Sequence, residues 1–191
     1  MIILLNGPPG SGKDTIGNII ARLVPSCVKY KMSHPLKKAL QVLLGIDDRL
    51  WATYLSSDWK DEPFDIFPST TPRQALIKLS EEFVKPLFGN DFFGHLTVQA
   101  IQKLASRHVV ITDTGFTDEV KPILDHYRPA NVRIIQIHRP GHGYTEDSRD
   151  YVNIDMLGMQ PHWTTIVNEH DLHLLEAQVK RIMAKWDLLL P

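Results

Sequence analysis

The segment from Gly7 to Lys13 has residue types and a spacing that suit it to hold phosphate groups. It matches G-x-x-x-x-G-K and lies between an apolar run, Ile2–Leu5, and a segment with helical periodicity. Glycines let the backbone turn so that several N–H groups point at phosphate oxygens, and the lysine adds a positive charge that reaches the β- and γ-phosphates. The pattern predicts a loop that binds a nucleoside triphosphate such as ATP, with contacts from Gly7, Gly10, Ser11, Gly12, Lys13, Asp14 and Thr15.

The position after the lysine departs from the usual motif. A Ser or Thr there ligates Mg²⁺ through its hydroxyl group, whereas this chain has Asp14 followed by Thr15. We therefore expect Mg²⁺ to be held mainly by phosphates and water, with Thr15 and Asp113 as its protein ligands, directly or through water. Asp113 ends a second apolar run, and open α/β sheets place their ligands at the carboxyl ends of strands.

Two basic residues outside the loop are candidates for binding an anionic acceptor. Arg73 lies in the first turn of a helix that the sequence begins with Thr71 and Pro72, and Gln74 completes a capping box. The helix dipole disfavours a cation at this position, so an arginine there indicates an anionic ligand. Lys37, near the start of an earlier helical segment, is the second candidate; for both residues the alternative is an ordinary solvated surface position.

Arg139 and Arg149 bracket a segment rich in glycine and charge, and the sequence predicts a short lid over about 139–152. Phosphoryl transfer requires positive charge at the transferred oxygens and the exclusion of water, and two arginines on a closing loop could supply both. Asp147 is expected to orient an arginine. The candidate catalytic residues are Lys13, Arg139, Arg149 and Asp113, and the alternative for the two arginines is a charged surface loop.

Apolar runs alternate with helical patterns along the chain, which predicts an α/β fold with a parallel sheet. Strands are expected at 2–5, 27–30, 108–113, 132–138 and 164–167. Residues 31–105 form too long a stretch for a simple crossover, so we interpret them as a helical insertion that covers a substrate. The core of this single domain would then comprise residues 1–30 and 106–191.

The composition is that of an ordinary globular protein, with 43% hydrophobic and 23% charged residues in a chain of 191. A formal net charge of -1 argues against a dedicated binder of nucleic acid or of membrane surfaces. The only cysteine, Cys27, fits a reducing compartment, and no signal peptide is expected before the first strand. These features predict a cytoplasmic protein without a membrane span, and they leave a homodimer open.

Four motifs, in order along the chain, resemble phage-type deoxynucleoside monophosphate kinases of the P-loop nucleoside monophosphate kinase group. They are Ser11–Thr15, Thr71–Arg73, Val109–Asp113 followed by Gly115, Phe116 and Glu119, and Asp147–Arg149. The resemblance implies a three-layer P-loop kinase core, a monophosphate-binding insertion and a lid. It also implies transfer of the γ-phosphoryl group of ATP to a deoxynucleoside monophosphate with Mg²⁺, in the host cytoplasm if the chain is phage-encoded.

The resemblance also assigns roles to individual residues. Lys13 and the loop amides would hold ATP, Arg73 would bind the acceptor phosphate, and Arg139 and Arg149 would serve the lid. The segment near Asn168 would border the adenine. Many relatives carry an arginine where this chain has Gly115, which leaves one phosphate contact unfilled.

Two other classes of function stay open at this point. One is a P-loop kinase for a different small acceptor, such as phosphomevalonate or dephospho-CoA. The other is a non-catalytic protein that binds a nucleotide with the same loop. The arginines separate these classes, because a kinase requires Arg73, Arg139 and Arg149 near the phosphates and a simple binder does not.

Overall fold

A computed structural model gives the structure of residues 1–56, 58–145, 147–158, 160–169 and 171–189. The chain forms two compact units, one of residues 1–32 with 93–191 and one of residues 33–92. The strands are β1 Ile2–Asn6, β2 Cys27–Tyr30, β3 His108–Thr114, β4 Val132–His138 and β5 His162–Val167. The α-helices are α1 Lys13–Leu23, α2 His34–Leu44, α3 Asp48–Tyr54, α4 Pro72–Lys78, α5 Lys85–Phe88, α6 Phe92–Gln102, α7 Thr117–Tyr127 and α8 Leu172–Lys185.

All five strands are parallel and pair in the order β2-β3-β1-β4-β5. β1 lies at the centre, with Ile2 opposite Val109 of β3 on one side and Val132 of β4 on the other. Helices cover both faces of such a sheet, which is why its strands are apolar runs and do not alternate between apolar and polar residues. The predicted α/β fold with a five-stranded parallel sheet is confirmed.

The two faces of β1 belong to two separate hydrophobic cores. Ile2 and Leu4 pack in the core that contains α7, and Ile3 and Leu5 pack in the core that contains α1 and α8. Each of these four side chains is at most 3% exposed. Because β1 is packed on both faces and hydrogen-bonded on both sides, the loop that leaves its carboxyl end starts from a fixed position.

The unit of residues 33–92 has a small aromatic core of Leu40, Trp51, Tyr54 and Phe67. It contains the predicted helix start, since the Thr71 side chain accepts a hydrogen bond from Gln74 N and the Gln74 side chain accepts one from Thr71 N. This capping box satisfies backbone groups that the first turn of α4 would otherwise leave unpaired.

One packing prediction for the same unit is wrong. The spacing of Leu76, Leu79 and Phe83 predicts a common buried face, yet Phe83 is 57% exposed. A π-helical stretch, Leu79–Val84, follows α4 directly. A π-helix has more residues per turn than an α-helix, so it turns Phe83 away from the face that Leu76 and Leu79 share.

Among the described residues, no helix is long and apolar enough to cross a membrane.

Candidate nucleotide-binding site

The Gly7–Lys13 segment connects the carboxyl end of β1 to the amino end of α1, as the sequence predicts. Gly10 and Gly12 adopt left-handed backbone conformations, with φ of 75° and 99°. Residues other than glycine rarely adopt these conformations. Gly12 is also the N-cap of α1, and it has no side chain to cap the first turn. The first turn of α1 therefore has no side-chain cap, and its N–H groups can bind a negatively charged ligand.

Lys13 folds back over the loop from which it starts. Its ammonium group donates to the carbonyl oxygens of Gly7 at 2.5 Å and Pro8 at 2.7 Å. Burial, followed by the nearby positive charge of Arg149, lowers the pKa of Lys13 to about 8, and the carboxylates of Asp14 and Asp113 only partly oppose this. A depressed lysine pKa means that the ammonium form lacks sufficient negative charge around it.

Arg149 is held by Asp147 in a two-point contact. Nε donates to Oδ1 at 2.8 Å and Nη2 to Oδ2 at 2.6 Å, and the Arg149 side chain is 24% exposed. Burial works against the charge, but these hydrogen bonds raise the pKa of Arg149 above its ordinary value. The prediction that Asp147 orients an arginine is confirmed.

The first residues of the predicted lid lie against the loop. Arg139 Nη1 donates to Gly10 O at 2.5 Å. The ring of His142 lies so close to Gly10 that a Cβ built there would approach it to 2.8 Å. The glycine at this position thus allows both the backbone conformation of the loop and the approach of the lid segment. Within the predicted lid, Glu146 lies outside the described residues.

Asn6, the last residue of β1, is a buried polar residue that the sequence argument missed. Its Nδ2 lies 3.0 Å from Thr114 O, 3.0 Å from Asp150 O and 3.1 Å from the Tyr144 hydroxyl, and its Oδ1 accepts from Val152 N at 2.8 Å. Asn6 therefore connects the start of the loop to the end of β3 and to the lid segment. The signal was available: Asn6 is the one polar residue of an otherwise apolar strand, at its carboxyl end.

These hydrogen bonds anchor the predicted lid segment to β1. The glycines and charges of the segment predict a mobile loop, but Tyr144, Asp150 and Val152 tie it to Asn6 of β1. Tyr151 adds a hydrogen bond to Ile137 O at 3.0 Å and stacks on His138. Arg149 thus lies in an anchored stretch of chain.

Asn168 is hydrogen-bonded to the Gly7–Lys13 loop. Its side-chain Nδ2 donates to Ser11 O at 2.9 Å, and its backbone N–H donates to His138 O at 2.8 Å. A Cβ at Gly12 would lie 2.6 Å from the same amide nitrogen. In this arrangement Asn168 holds the loop in shape, and the expectation that the segment near Asn168 borders the adenine stays a prediction.

Ser11 is fully buried in the loop, and its hydroxyl has no hydrogen-bond partner among the described residues. Buried hydroxyl groups are normally paired, so an isolated one beside a phosphate-binding loop is consistent with a ligand oxygen as its partner. The expectation that Ser11 contacts ATP stays a prediction.

The candidate metal ligands supply oxygen donors of the kind that Mg²⁺ prefers. Asp14 accepts from Lys31 at 2.9 Å and from Thr112 Oγ1 at 3.1 Å; burial opposes its charge, but the Lys31 hydrogen bond holds the pKa of Asp14 below its ordinary value. Asp113 Oδ1 accepts from Met32 N at 2.8 Å, and Thr15 is exposed. The carboxylates and the hydroxyl group fit Mg²⁺ in donor type, with Asp14 already engaged by a cation.

The acceptor candidates lie in the unit of residues 33–92, and the chain itself already pairs Arg73. Arg73 Nε and Nη2 donate to the two carboxylate oxygens of Asp61, at 2.5 and 3.2 Å, and Arg73 N donates to Lys60 O at 3.0 Å. The Arg73 hydrogen bond lowers the pKa of Asp61. The Asp61 carboxylate therefore offsets the unfavourable position of Arg73 at a helix start, and no ligand is needed to explain this arginine. Lys37 lies in the first turns of α2 and is half-buried.

Neither a known protein family nor a curated protein matches the chain in sequence. Solved structures that it resembles include the tunicamycin resistance protein of Deinococcus radiodurans, at 16% identity and a TM-score of 0.46 over 100% of this chain and 98% of that one. A sugar kinase of Janibacter has 13% identity and a TM-score of 0.44 over 98% and 94%. The Thermus thermophilus protein TT1252 has 15% identity and a TM-score of 0.46 over 97% of each chain. Likenesses at this level carry no functional argument, so function is argued from the site.

Proposed function

We propose that this protein is a P-loop phosphotransferase that transfers the γ-phosphoryl group of ATP to a deoxynucleoside monophosphate. The observation that carries the proposal is the meeting of Lys13 and Arg149 beside the uncapped start of α1. Arg149 is paired with Asp147, whereas the half-buried Lys13 donates only to carbonyl oxygens. The triphosphate of ATP would supply the negative charge that Lys13 and the uncapped N–H groups lack.

Catalysis in this proposal is positioning and charge stabilisation. The acceptor is itself a phosphate anion, so no strong general base is required. Lys13 and the loop amides would hold the β- and γ-phosphates, and Arg149, kept in place by Asp147, would stabilise the charge that develops on the transferred group. Arg139 would leave Gly10 O for a phosphate oxygen.

Mg²⁺, when bound, neutralises charge on the β- and γ-phosphates. Thr15 and Asp113 would hold it from the protein side, with Asp14 in the outer shell. Asp14 also keeps Lys31 beside the loop through the ion pair described above.

The choice of acceptor rests on the resemblance to phage-type deoxynucleoside monophosphate kinases. Arg73 would bind the acceptor phosphate, with Lys37 as a second cation. In the structure the Arg73 guanidinium forms an ion pair with Asp61, so an acceptor phosphate has to replace the Asp61 carboxylate. A charge-assisted pair with a doubly charged phosphate is stronger than one with a partly exposed carboxylate, which favours the exchange.

The decisive experiment is a coupled assay of ADP formation with ATP and Mg²⁺ against a panel of acceptors. The panel contains the four common dNMPs, the corresponding NMPs, phosphomevalonate and dephospho-CoA. We expect turnover with at least one dNMP and a lower kcat/KM with its ribose counterpart. Equal values for the two sugars would remove the deoxy preference and keep the kinase assignment.

Two results would overturn the proposal. Turnover only with phosphomevalonate or dephospho-CoA would identify a kinase for another small acceptor. ATP binding without turnover on any acceptor would identify a nucleotide-binding protein.

Variants of Lys13 need a control for the removal of a lysine charge. Lys180→Ala provides it, because Lys180 is an exposed lysine on α8.

A further inference from the structure

Gly115 directly follows β3, and the side chain of Arg149 lies across it. A Cβ built on Gly115 would lie 2.6 Å from Arg149 Cδ and Cγ and 2.7 Å from its Cβ. Non-bonded carbon atoms pack at about 3.5–4.0 Å, so these approaches are not tolerated. The three atoms form the stem of the arginine and include the one fixed to its backbone. A side chain at position 115 therefore excludes the observed placement of Arg149.

The glycine serves here to leave space, not to permit an unusual backbone. Gly10 and Gly12 have positive φ values, and Gly115 is not among the glycines that do. Alanine could adopt the backbone conformation of Gly115 without strain, since only left-handed φ values specifically favour glycine. The Cβ of an alanine at position 115 would, however, overlap with the side chain of Arg149.

The backbone around Arg149 has little freedom to move aside. Asp150 N donates to Gly115 O at 2.9 Å, and Asp150 O accepts from Asn6 Nδ2 at 3.0 Å. Arg149 N donates to Asp147 Oδ1 at 3.0 Å. Rotation of the arginine side chain moves Cγ and Cδ but not Cβ, so a methyl group at position 115 would displace the side chain and also strain the tied main chain around Arg149.

We propose that Gly115 is a positioning residue whose missing side chain lets Arg149 cross the carboxyl end of β3 and hold its guanidinium beside Lys13. The catalytic part of this inference rests on the proposed function, because Arg149 acts on the transferred phosphoryl group only if the protein is a phosphotransferase. The steric part depends on the structure alone. The two parts are tested by separate measurements.

The catalytic test compares Gly115→Ala in two backgrounds. In the wild-type background we expect kcat to fall about tenfold or more while the KM for ATP changes by less than about threefold, as for loss of a contact made mainly in the transition state. In an Arg149→Ala, Asp147→Asn background, where no buried carboxylate is left unpaired, Gly115→Ala should change kcat by less than about twofold. Gly143→Ala is the matched control, because its Cβ would meet only Thr145 Oγ1, at 3.8 Å.

The steric test uses thermal unfolding and needs no turnover. Gly115→Ala should lower Tm by a few degrees when Arg149 is present and leave Tm nearly unchanged when Arg149 is alanine. Equal losses of Tm in both backgrounds, or none in either, would overturn the positioning role. If no acceptor is ever turned over, the proposed function fails, and this measurement still decides whether Gly115 makes room for Arg149.

Discussion

The loop residues, in the unit of residues 1–32 with 93–191, and the acceptor candidates, in the unit of residues 33–92, differ in how their positive charge is balanced. Arg149 lies close to Lys13 in a buried environment, and the proximity of the two cations contributes to lowering the pKa of the lysine. Arg73 lies at a helix start with its guanidinium paired to Asp61, whose side chain is 53% exposed. Arg149 is itself paired with Asp147, so the excess of positive charge at the loop is that of Lys13, which donates to carbonyl oxygens. The pair of Arg73 with Asp61, by contrast, is neutral.

This difference indicates how each side would respond to a phosphate. At the loop, an arriving triphosphate supplies the negative charge that Lys13 lacks, so binding gains the full interaction with that lysine. At Arg73, an arriving phosphate competes with a carboxylate, so binding gains only the difference between two ion pairs. Substitutions at the loop should therefore have larger effects than substitutions at Arg73.

Lys13→Met should have the largest effect. Removing the ammonium group leaves the transferred phosphate without its nearest charge, and we expect kcat to fall by about 10²–10³-fold or more. Circular dichroism should show a folded protein, since the loop lysine contributes little to either core. The measurement is steady-state turnover beside the Lys180→Ala control, and retention of more than about a tenth of wild-type kcat would remove Lys13 from the mechanism.

Arg149→Ala should come next, with kcat lowered by about 10²-fold and the KM for ATP nearly unchanged. The reason is that Arg149 is expected to contact the phosphoryl group mainly in the transition state. Arg181→Ala, an exposed arginine on α8, is the control for loss of a guanidinium. A rise in the KM for ATP at constant kcat would instead make Arg149 a ground-state contact to the donor.

Arg73→Ala should raise the KM for the acceptor by about tenfold and leave the KM for ATP unchanged. Asp61→Asn should act in the opposite direction and lower the acceptor KM by about threefold, because the competing carboxylate is gone. Arg49→Ala, on α3 in the same unit, is the matched control. If Asp61→Asn and Arg73→Ala both leave the acceptor KM unaltered, Arg73 is a structural ion pair and the acceptor lies elsewhere.

The lowered pKa of Lys13 predicts a pH dependence of ATP affinity in the unmodified protein. The free protein loses the Lys13 proton near pH 8, whereas a bound triphosphate favours the ammonium form. Above pH 8, binding must therefore take up a proton, and the Kd for ATP should rise, by at most about tenfold per pH unit. Calorimetry between pH 7 and 9.5, in buffers with different ionisation enthalpies, measures the Kd for ATP and the number of protons taken up on binding. Lys13→Met should show neither the rise in Kd nor the proton uptake. A Kd that stays constant across this range in the wild type would contradict the lowered pKa of Lys13.

The sequence predicted the parts of this molecule that depend on local patterns. β4 spans the residues predicted for it, 132–138, the Thr71 capping box forms as its spacing indicates, and the Gly7–Lys13 segment connects a strand to a helix. These features depend on residues within a few positions of each other, so their chemistry is visible in the sequence.

The contacts that escaped prediction join residues that no short pattern connects. Asp61 lies twelve positions before Arg73 in an irregular stretch, and its pairing removes the electrostatic reason for expecting a ligand there. The clash between a side chain at 115 and Arg149 depends on how β3 ends and on how the later segment is tied down. Phe83 was assigned to a buried face because a π-helical turn has no recognised spacing in the sequence.

The hydrogen bonds of Asn6 have a consequence for the order of folding. Its partners Thr114, Tyr144, Asp150 and Val152 lie 108 to 146 residues further along the chain. During synthesis, the loop that follows Asn6 leaves the ribosome long before its anchor, which is completed only after residue 152 has emerged. Contacts of such long range slow folding, because closing the intervening chain costs entropy before any contact forms. The Gly7–Lys13 loop is therefore synthesised well before the contacts that fix its shape, and we expect a chain that ends before Asp150 not to bind a nucleotide.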